Sequence, residues 1–389
     1  MLLNNKEILL GVCGGIAAYK VPGLVRLFQD EGAKVQLMMT HNAGHFVTPL
    51  TLEAVSGLPV LREMFEAGKG ILHLNAVRSA DIMVIAPATA NMLAKLASGL
   101  ADDLISTTVL AADIPVLIAP SMNYRMWNNP IVRQNVKKLR GAGYFLMQPD
   151  EGHLACGEKG IGRLAELKKI VWEAIRLTIP QDLKGKKVLI TAGPTREYAD
   201  PVRFISSASS GKMGLALARE AYFRGASVTV VAGNVKADLP EKIRVLNAAS
   251  AGEMFNHVIK KISGNDIFVA SAAVSDYRFA SVSRQKIKKG NIRIKMDMVL
   301  NRDILAEVAK RKKRPFIVGF SLSSGGMLKK AREKLLKKGS DMIVGNGLET
   351  VGSDYGEVVL MTAGGTEKLA RMRKEMVARN IFDRIVKFF

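Results

Sequence analysis

Two cysteines and five histidines are all that 389 residues hold of the two commonest soft metal ligands. So little thiol excludes a disulfide scaffold, and Cys13 and Cys156 are expected as free thiols. His41, His45, His73, His153 and Cys156 lack the paired spacing of zinc sites, which argues against a zinc centre. Long apolar runs are missing too: 48% of the residues are hydrophobic, yet no uncharged stretch reaches the roughly 18 residues of a bilayer span. The opening MLLNNKEILLGVCGG lacks the basic segment and small-residue cleavage site of a secretory signal, so it reads as a first strand and the expected location is cytoplasmic. Aromatic residues make up only 6%, and no RRM, KH or helix-turn-helix signature appears, which weighs against nucleic acid as a partner. No GxGxxG follows the first strand. SSASSGKMG at 206 to 214 has GKM where a Walker A loop needs GK[ST].

What is abundant is positive charge, and it is unevenly spread. The formal net charge is +22; residues 1 to 180 carry 18 Lys and Arg against 15 Asp and Glu, whereas residues 181 to 389 carry 39 against 20. A basic half favours polyanions, either nucleic acid or small molecules bearing several phosphates. A solvated lysine-rich surface accounts equally well for runs such as RKKRP at 311 to 315.

Strand-like apolar runs alternate with amphipathic helical segments in both halves, the pattern of parallel sheets covered by helices. ILLGVC, KVQLMM, IMVIAP, PVLIAP and YFLMQ read as strands of the first half; VLITAG, SVTVVAG, IRVLNA, DIFVASAA, FIVGFS and MIVGN as strands of the second. The fold class is therefore α/β, with two Rossmann-like domains, each a mostly parallel sheet flanked by helices. TIPQDLKGKK marks the linker, giving domains 1–180 and 181–389. Ligands of such sheets bind at the carboxyl ends of the strands. There GVCGGIAAYK offers Gly14 and Gly15 ahead of a helix, suited to a mononucleotide or flavin phosphate or to a plain tight turn. The serines before Gly211 and the helix that follows make a second anion cradle. His73 precedes the buried strand of ADIMVIAPATAN, Asn123 stands beside Met126 and Trp127 in APSMNYRMWNNP, and Cys156 is isolated in the glycine-rich DEGHLACGEKGIGR.

In this order, GGIAAYK, His73 ahead of ADIMVIAPATAN, PSMNYRMW and HLACGEKGIGR resemble the flavin-dependent phosphopantothenoylcysteine decarboxylases. TAGPTRE, DPVRFISSASSGKMG, SAAVSDYR, QKIKK and VGFS resemble the phosphopantothenate:cysteine ligases. The resemblance spans nearly the whole chain, in the domain order of the bifunctional coenzyme A biosynthesis proteins. It implies a flavodoxin-like first domain that assembles as trimers, with dimers of the second. It also implies FMN bound by Gly14, Gly15, Ile16, Thr40, Ala88, Thr89 and Asn91. In such decarboxylases the flavin oxidises the cysteinyl thiol so that the carboxylate can leave as CO2. His73 assists that step, Asn123 and Met126 contact substrate, and Cys156 returns a proton from a mobile segment hinged on Gly152, Gly157, Gly160 and Gly162. In the ligase half, CTP with Mg²⁺ or Mn²⁺ activates 4'-phosphopantothenate as an acyl-cytidylate that L-cysteine then attacks. The resemblance assigns the nucleotide to Asp276, Lys286, Asn301, Asp303, Phe320, Lys334 and Lys338. The intermediate falls to Ser207, Gly211 and Lys212, and Asp276 is the candidate metal contact.

The chain departs from the ligase pattern at several places. Ser207 stands where SNHSSGKMG has its Asn, Arg302 replaces the Pro of NPD, GFAAET becomes GFSLSS with Ser323 at the acidic position, and AND becomes Gly345-Asn346-Gly347. These changes remove amide or acidic groups from the nucleotide site. A flavin decarboxylase with an altered or vestigial ligase half is the alternative, and a basic nucleic-acid-binding module is a third.

Overall fold

In the computed structural model, which describes residues 1–65, 71–155, 157–289 and 295–389, the chain divides into two compact units, Met1–Ile179 and Pro180–Phe389. The first holds β1 (Glu7–Val12), β2 (Lys34–Met39), β3 (Ile82–Ala88), β4 (Val116–Pro120), β5 (Phe145–Leu146), β6 (Asp150–His153) and β7 (Lys159–Arg163). Five of these form a parallel sheet in the order β2-β1-β3-β4-β5. All seven residues of β3 and all five of β4 are buried, as expected where helices cover both faces of a parallel sheet. Helix Val21–Asp30 shows how: Val21, Leu24, Val25 and Phe28 are buried at helical spacing, and the opposite face is polar.

Two features of this unit were not legible. YFLMQ supplies only the two-residue edge strand β5, and DEGH with KGIGR pairs as the antiparallel hairpin β6–β7. A segment this polar and glycine-rich carries no period-2 hydrophobic signal to announce a strand.

The second unit contains β8 (Lys187–Ala192), β9 (Arg196–Tyr198), β10 (Phe204–Ser206), β11 (Ser227–Ala232), β12 (Arg244–Asn247), β13 (Ile267–Ala270), β14 (Tyr277–Phe279), β15 (Met298–Leu300), β16 (Phe316–Ser323), β17 (Met342–Gly347), β18 (Tyr355–Thr362) and β19 (Gly365–Arg373). Its main sheet runs β12-β11-β8-β13-β16-β17-β18-β19. Six strands are parallel, and β18 and β19 close the edge antiparallel. Two small antiparallel pairs, β9–β10 and β14–β15, stand apart from it.

A buried ion-pair node ties three segments of this unit together. Arg224, 7% exposed at its side chain, donates to Glu220 Oε1 at 2.9 Å, to Asp182 Oδ2 at 3.1 Å and to Asp383. Burial disfavours the guanidinium charge, but the Asp383 and Glu220 carboxylates outweigh it and hold the Arg224 pKa above its ordinary value. Removing one partner of such a pair strands the other without water. Arg224→Ala is expected to destabilise the protein by about 3 kcal/mol, read as a shift in the urea midpoint. A midpoint that did not move would show that Glu220 finds enough compensation from Arg379, 3.6 Å away.

Candidate functional site

The loops leaving β1 to β4 and the β6–β7 hairpin enclose a cavity of about 800 Å³. Gly14, Gly15, Ile16, Thr40, Thr89, Asn91, Asn123 and Met126 all line it. Of the first-half site residues expected from sequence, eight are thus brought together. Ala88 is fully buried at the end of β3 and does not line the cavity, though its carbonyl accepts from Ser121 N at 2.9 Å and so fixes the next loop. His73 sits half-buried on helix Leu72–Ser79 and is not among the cavity's lining residues. Cys156 lies outside the described residues, although its neighbours His153, Leu154 and Ala155 form one wall.

Local chemistry explains these positions. A Cβ on Gly14 would come within 2.5 Å of Asn42 Cβ and 2.7 Å of its carbonyl carbon, so only glycine lets the β1 and β2 loops approach this closely. Thr40 follows β2, its N–H donated to Val12 O at 3.0 Å. Its hydroxyl is buried with no hydrogen-bond partner among the described residues, an arrangement that costs stability unless a ligand completes it. Thr89 caps helix Ala90–Ser98 by accepting from Met92 N at 3.3 Å.

Asn123 caps helix Tyr124–Asn128. Its Oδ1 accepts from Arg125 N at 2.8 Å and its Nδ2 lies 3.4 Å from Glu158 Oε2. Glu158 also pairs with Arg125 at 2.7 Å, so the hairpin is latched to the loop after β4. The glycines of β7 serve that docking. A Cβ on Gly162 would strike Met122 O at 2.1 Å, and one on Gly160 would meet Tyr124 Cβ at 2.8 Å. Met122 N donates to Gly162 O at 2.9 Å.

Sequence reasoning missed the cavity residues Cys13, Lys95 and Asp103. Lys95 is 15% exposed and bridges Asp102 at 2.6 Å and Asp103 at 2.7 Å. Burial pushes the Asp103 carboxyl up, but Lys95 and the Ser106 N–H outweigh it and hold it below its usual range. The signal was present as the D-x-x-S capping box over Asp103 and Ser106. Cys13 is a free, buried thiol whose pKa burial pushes up to about 12.

In the second unit Asp276, Asn301 and Asp303 stand on two loops that hydrogen-bond to each other, Phe320 lies in β16, and Lys334 and Lys338 lie on helix Met327–Lys338. Asn301 N donates to Asp276 O at 2.8 Å, and Asn301 Nδ2 to Ser275 O at 2.9 Å. Asp303 caps helix Ile304–Ala309 through Ala306 N at 2.9 Å and pairs with Lys338. Burial alone would raise the Asp303 pKa; the Ala306 N–H and Lys338 lower it overall. Lys334 donates to Phe320 O at 2.5 Å. Burial, with Lys338 nearby, drives Lys334 below the ordinary lysine range against the pull of Asp303 and Asp276.

The remaining residues lie elsewhere. Lys286 is exposed, and the next residue's N–H donates to buried Asp200 at 3.1 Å. Asp200 was missed from sequence, yet it also accepts from Val202 N and Arg203 N at 2.8 Å each. Gly211 (φ 72°) opens helix Lys212–Phe223, Lys212 pairs with Asp354 at 2.6 Å, and Ser207 is exposed. Arg302 stacks over the Phe255 ring at 5.2 Å, so the cation that replaces proline has a packing role. Among the described residues no three His, Cys, Asp or Glu side chains gather as a metal site, and no helix is long and apolar enough to cross a membrane.

Comparison with known proteins joins the two units. The Flavoprotein family model matches residues 2–178, and the DNA/pantothenate metabolism flavoprotein C-terminal domain model matches residues 183–389. The coenzyme A biosynthesis bifunctional protein CoaBC of Vibrio cholerae is 44% identical over 358 residues, 91% of this chain and 90% of that protein. The chain belongs to this family. The Escherichia coli member is 41% identical over 397 residues, covering 99% and 98%. Among solved structures, the C-terminal domain of a CoaBC protein is 32% identical, covers 54% of this chain and 97% of that one, and has a TM-score of 0.47. The FMN-dependent cysteine decarboxylase SpaF is 35% identical, covers 45% and 97%, and has a TM-score of 0.41. The chain is a two-part α/β flavoprotein enzyme, as its motifs imply.

The raised pKa of Cys13 carries a direct consequence, because the thiolate is the reactive form. In the folded protein at about pH 8, Cys13 should resist alkylation by iodoacetamide and become labelled only on unfolding. Peptide mass spectrometry showing equal labelling of Cys13 in both states would contradict its placement.

Proposed function

We propose that the second unit ligates 4'-phosphopantothenate to L-cysteine through an acyl-cytidylate formed from CTP. The first unit then decarboxylates 4'-phosphopantothenoylcysteine to 4'-phosphopantetheine with FMN. The observation that carries the reading is the cavity itself, where the unpartnered Thr40 hydroxyl, the side-chain-free Gly14–Gly15 turn and a helix start meet Asn123. Those groups fit a flavin phosphate: Thr40 has a free donor, and the glycines leave backbone N–H groups exposed to an anion. Gly14, Gly15, Ile16, Thr40, Thr89 and Asn91 would hold FMN, which supplies the two-electron oxidation and its reversal when bound.

The chain's own residues do the rest. Asn123 lines the cavity, and its side-chain amide would hydrogen-bond the substrate's carboxylate and amide. Cys156, next to the Ala155 wall, would protonate the product carbon. His73 lies outside this cavity's lining, and we place its action at the cavity of a neighbouring copy within a trimer. In the ligase half, Lys334 and Lys338 with Asp303 would meet the triphosphate and Lys286 the reacting phosphate, with Mg²⁺ or Mn²⁺ beside Asp276. Dimers of the second unit, a cytoplasmic location and small-molecule partners in place of nucleic acid complete the reading.

Flavin absorbance in the purified protein, or after FMN is added, is the first test, and its absence would remove the decarboxylase reading. His73→Asn should abolish CO2 release, and Cys156→Ser should release CO2 but accumulate an unreduced product. Co-expressed, the two inactive variants should regain part of the native turnover. A trimer then contains sites with an intact cavity and an intact neighbouring His73. Failure to complement would place both residues in one subunit. CTP-dependent pyrophosphate release with 4'-phosphopantothenate distinguishes an active ligase half from a vestigial one.

A further inference from the structure

Two of the ligase departures, Ser323 and Gly347, are partners across adjacent parallel strands. Ser323 ends β16, Gly347 ends β17, and the two pair in register. Both are positions where an acidic side chain is expected from the motif. A Cβ built on Gly347 would lie 2.3 Å from each carboxylate oxygen of Glu349 and 2.6 Å from its Cδ. In an aspartate, standard bond lengths put the carboxylate oxygens roughly 2.4 Å from their own Cβ. Glu349 therefore lays its carboxylate in the volume that an aspartate at 347 would fill.

The turn that carries Glu349 is fixed. Leu348–Thr350 is a single 3-10 turn. The buried Thr350 hydroxyl donates to Gly347 O at 2.8 Å and accepts from Asn346 Nδ2 at 2.8 Å, and buried Lys374 donates to Thr350 O at 3.0 Å. Across the strand pair, Ser323 is only 7% exposed, and its Oγ has no hydrogen-bond partner among the described residues. Residues two apart on a strand share a face. A Cβ on Gly345 would meet Met327 Cγ at 3.1 Å, so Ser323 and Gly347 face the start of helix Met327–Lys338. An orphaned hydroxyl on β16 and a carboxylate beside the residue paired with it on β17, both oxygen donors, thus stand at the carboxyl ends of two adjacent parallel strands, where ligands of open α/β sheets bind. Phe320, whose carbonyl holds Lys334, lies three residues back on β16.

From this we infer that Glu349 takes the place of the acidic side chain lost at 347 and, with the Ser323 hydroxyl, contacts the divalent cation that accompanies the nucleotide. The inference rests on the ligase reading. A magnesium-class ion is commonly held by one or two protein carboxylates together with substrate phosphates and waters, which leaves a place for Glu349 in addition to Asp276.

The backbone offers a clean test. Gly347 has φ −92° and ψ 170°, a conformation open to any residue, so aspartate can be restored there once Glu349 is shortened. Calorimetric titration of Mn²⁺ with CTP into the full-length protein should show roughly tenfold weaker binding in Glu349→Ala. Binding and ligase turnover should recover in Glu349→Ala/Gly347→Asp, and decarboxylase turnover and thermal midpoint should stay native throughout. Unchanged Mn²⁺ and CTP binding in Glu349→Ala, or failure of the double variant to recover it, overturns the assignment. If the native protein binds Mn²⁺ and CTP but makes no pyrophosphate, the ligase reading fails, and the binding comparison still decides the role of Glu349.

Discussion

Parallel strand pairing is the constraint on which the rest of this structure depends. When neighbouring strands run the same way and helices make the return, every loop after a strand emerges at one edge of the sheet. Cys13 to Ile16 after β1, Thr40 after β2, Thr89 to Asn91 after β3 and Ser121 to Met126 after β4 share a cavity for that reason. Residues more than a hundred positions apart become neighbours without any long-range contact designed for each. Steric permission then decides how close those loops come, and the Gly14 contact with Asn42 and the Gly162 contact with Met122 are where it is strictest.

Electrostatics distinguishes the two units. In the first, the charged pair at the cavity wall is compensated inside the fold: Lys95 holds Asp102 and Asp103, while Lys20 and Arg163 also line the cavity. The second unit leaves part of its positive charge without a full partner. Lys334 is desolvated, with Lys338 close by, and both effects disfavour its proton. An incoming phosphate would oppose both, since a nearby negative charge favours the ammonium form. The excess of 39 basic over 20 acidic residues therefore has a local expression at Lys334, beyond a generally solvated surface.

Legibility in the sequence followed the range of the interaction. Strands β1 to β4 and the alternation of strand and helix were readable because burial on both sheet faces writes continuous apolar runs. Gly14 and Asn123 stood out because each follows such a run, whereas Thr40, Thr89 and Asn91 were named through the family resemblance. The β6–β7 hairpin was not, since it is held by docking against Met122 and Tyr124 and not by its own pattern. Asp200 was hidden because its acceptors for Val202, Arg203 and Ile287 span 87 residues of sequence. His73 could be named from its motif, but that it is not among the lining residues depends on the packing of helix Leu72–Ser79.

The ligase departures carry the more general lesson about reading sites by column. Position by position, Ser323 and Gly347 each look like the loss of an acid. In space the volume beside Gly347 is filled by a carboxylate two residues downstream, held by a turn that Thr350 and Lys374 lock from behind. A side chain can reach a given point from more than one Cα, and glycine at 347 is what opens that point to Glu349. Arg302 illustrates the converse: a charge gained in the motif is absorbed by stacking on Phe255. What a motif conserves physically is therefore a charge at a location, and residue identity is only the most direct way of putting it there.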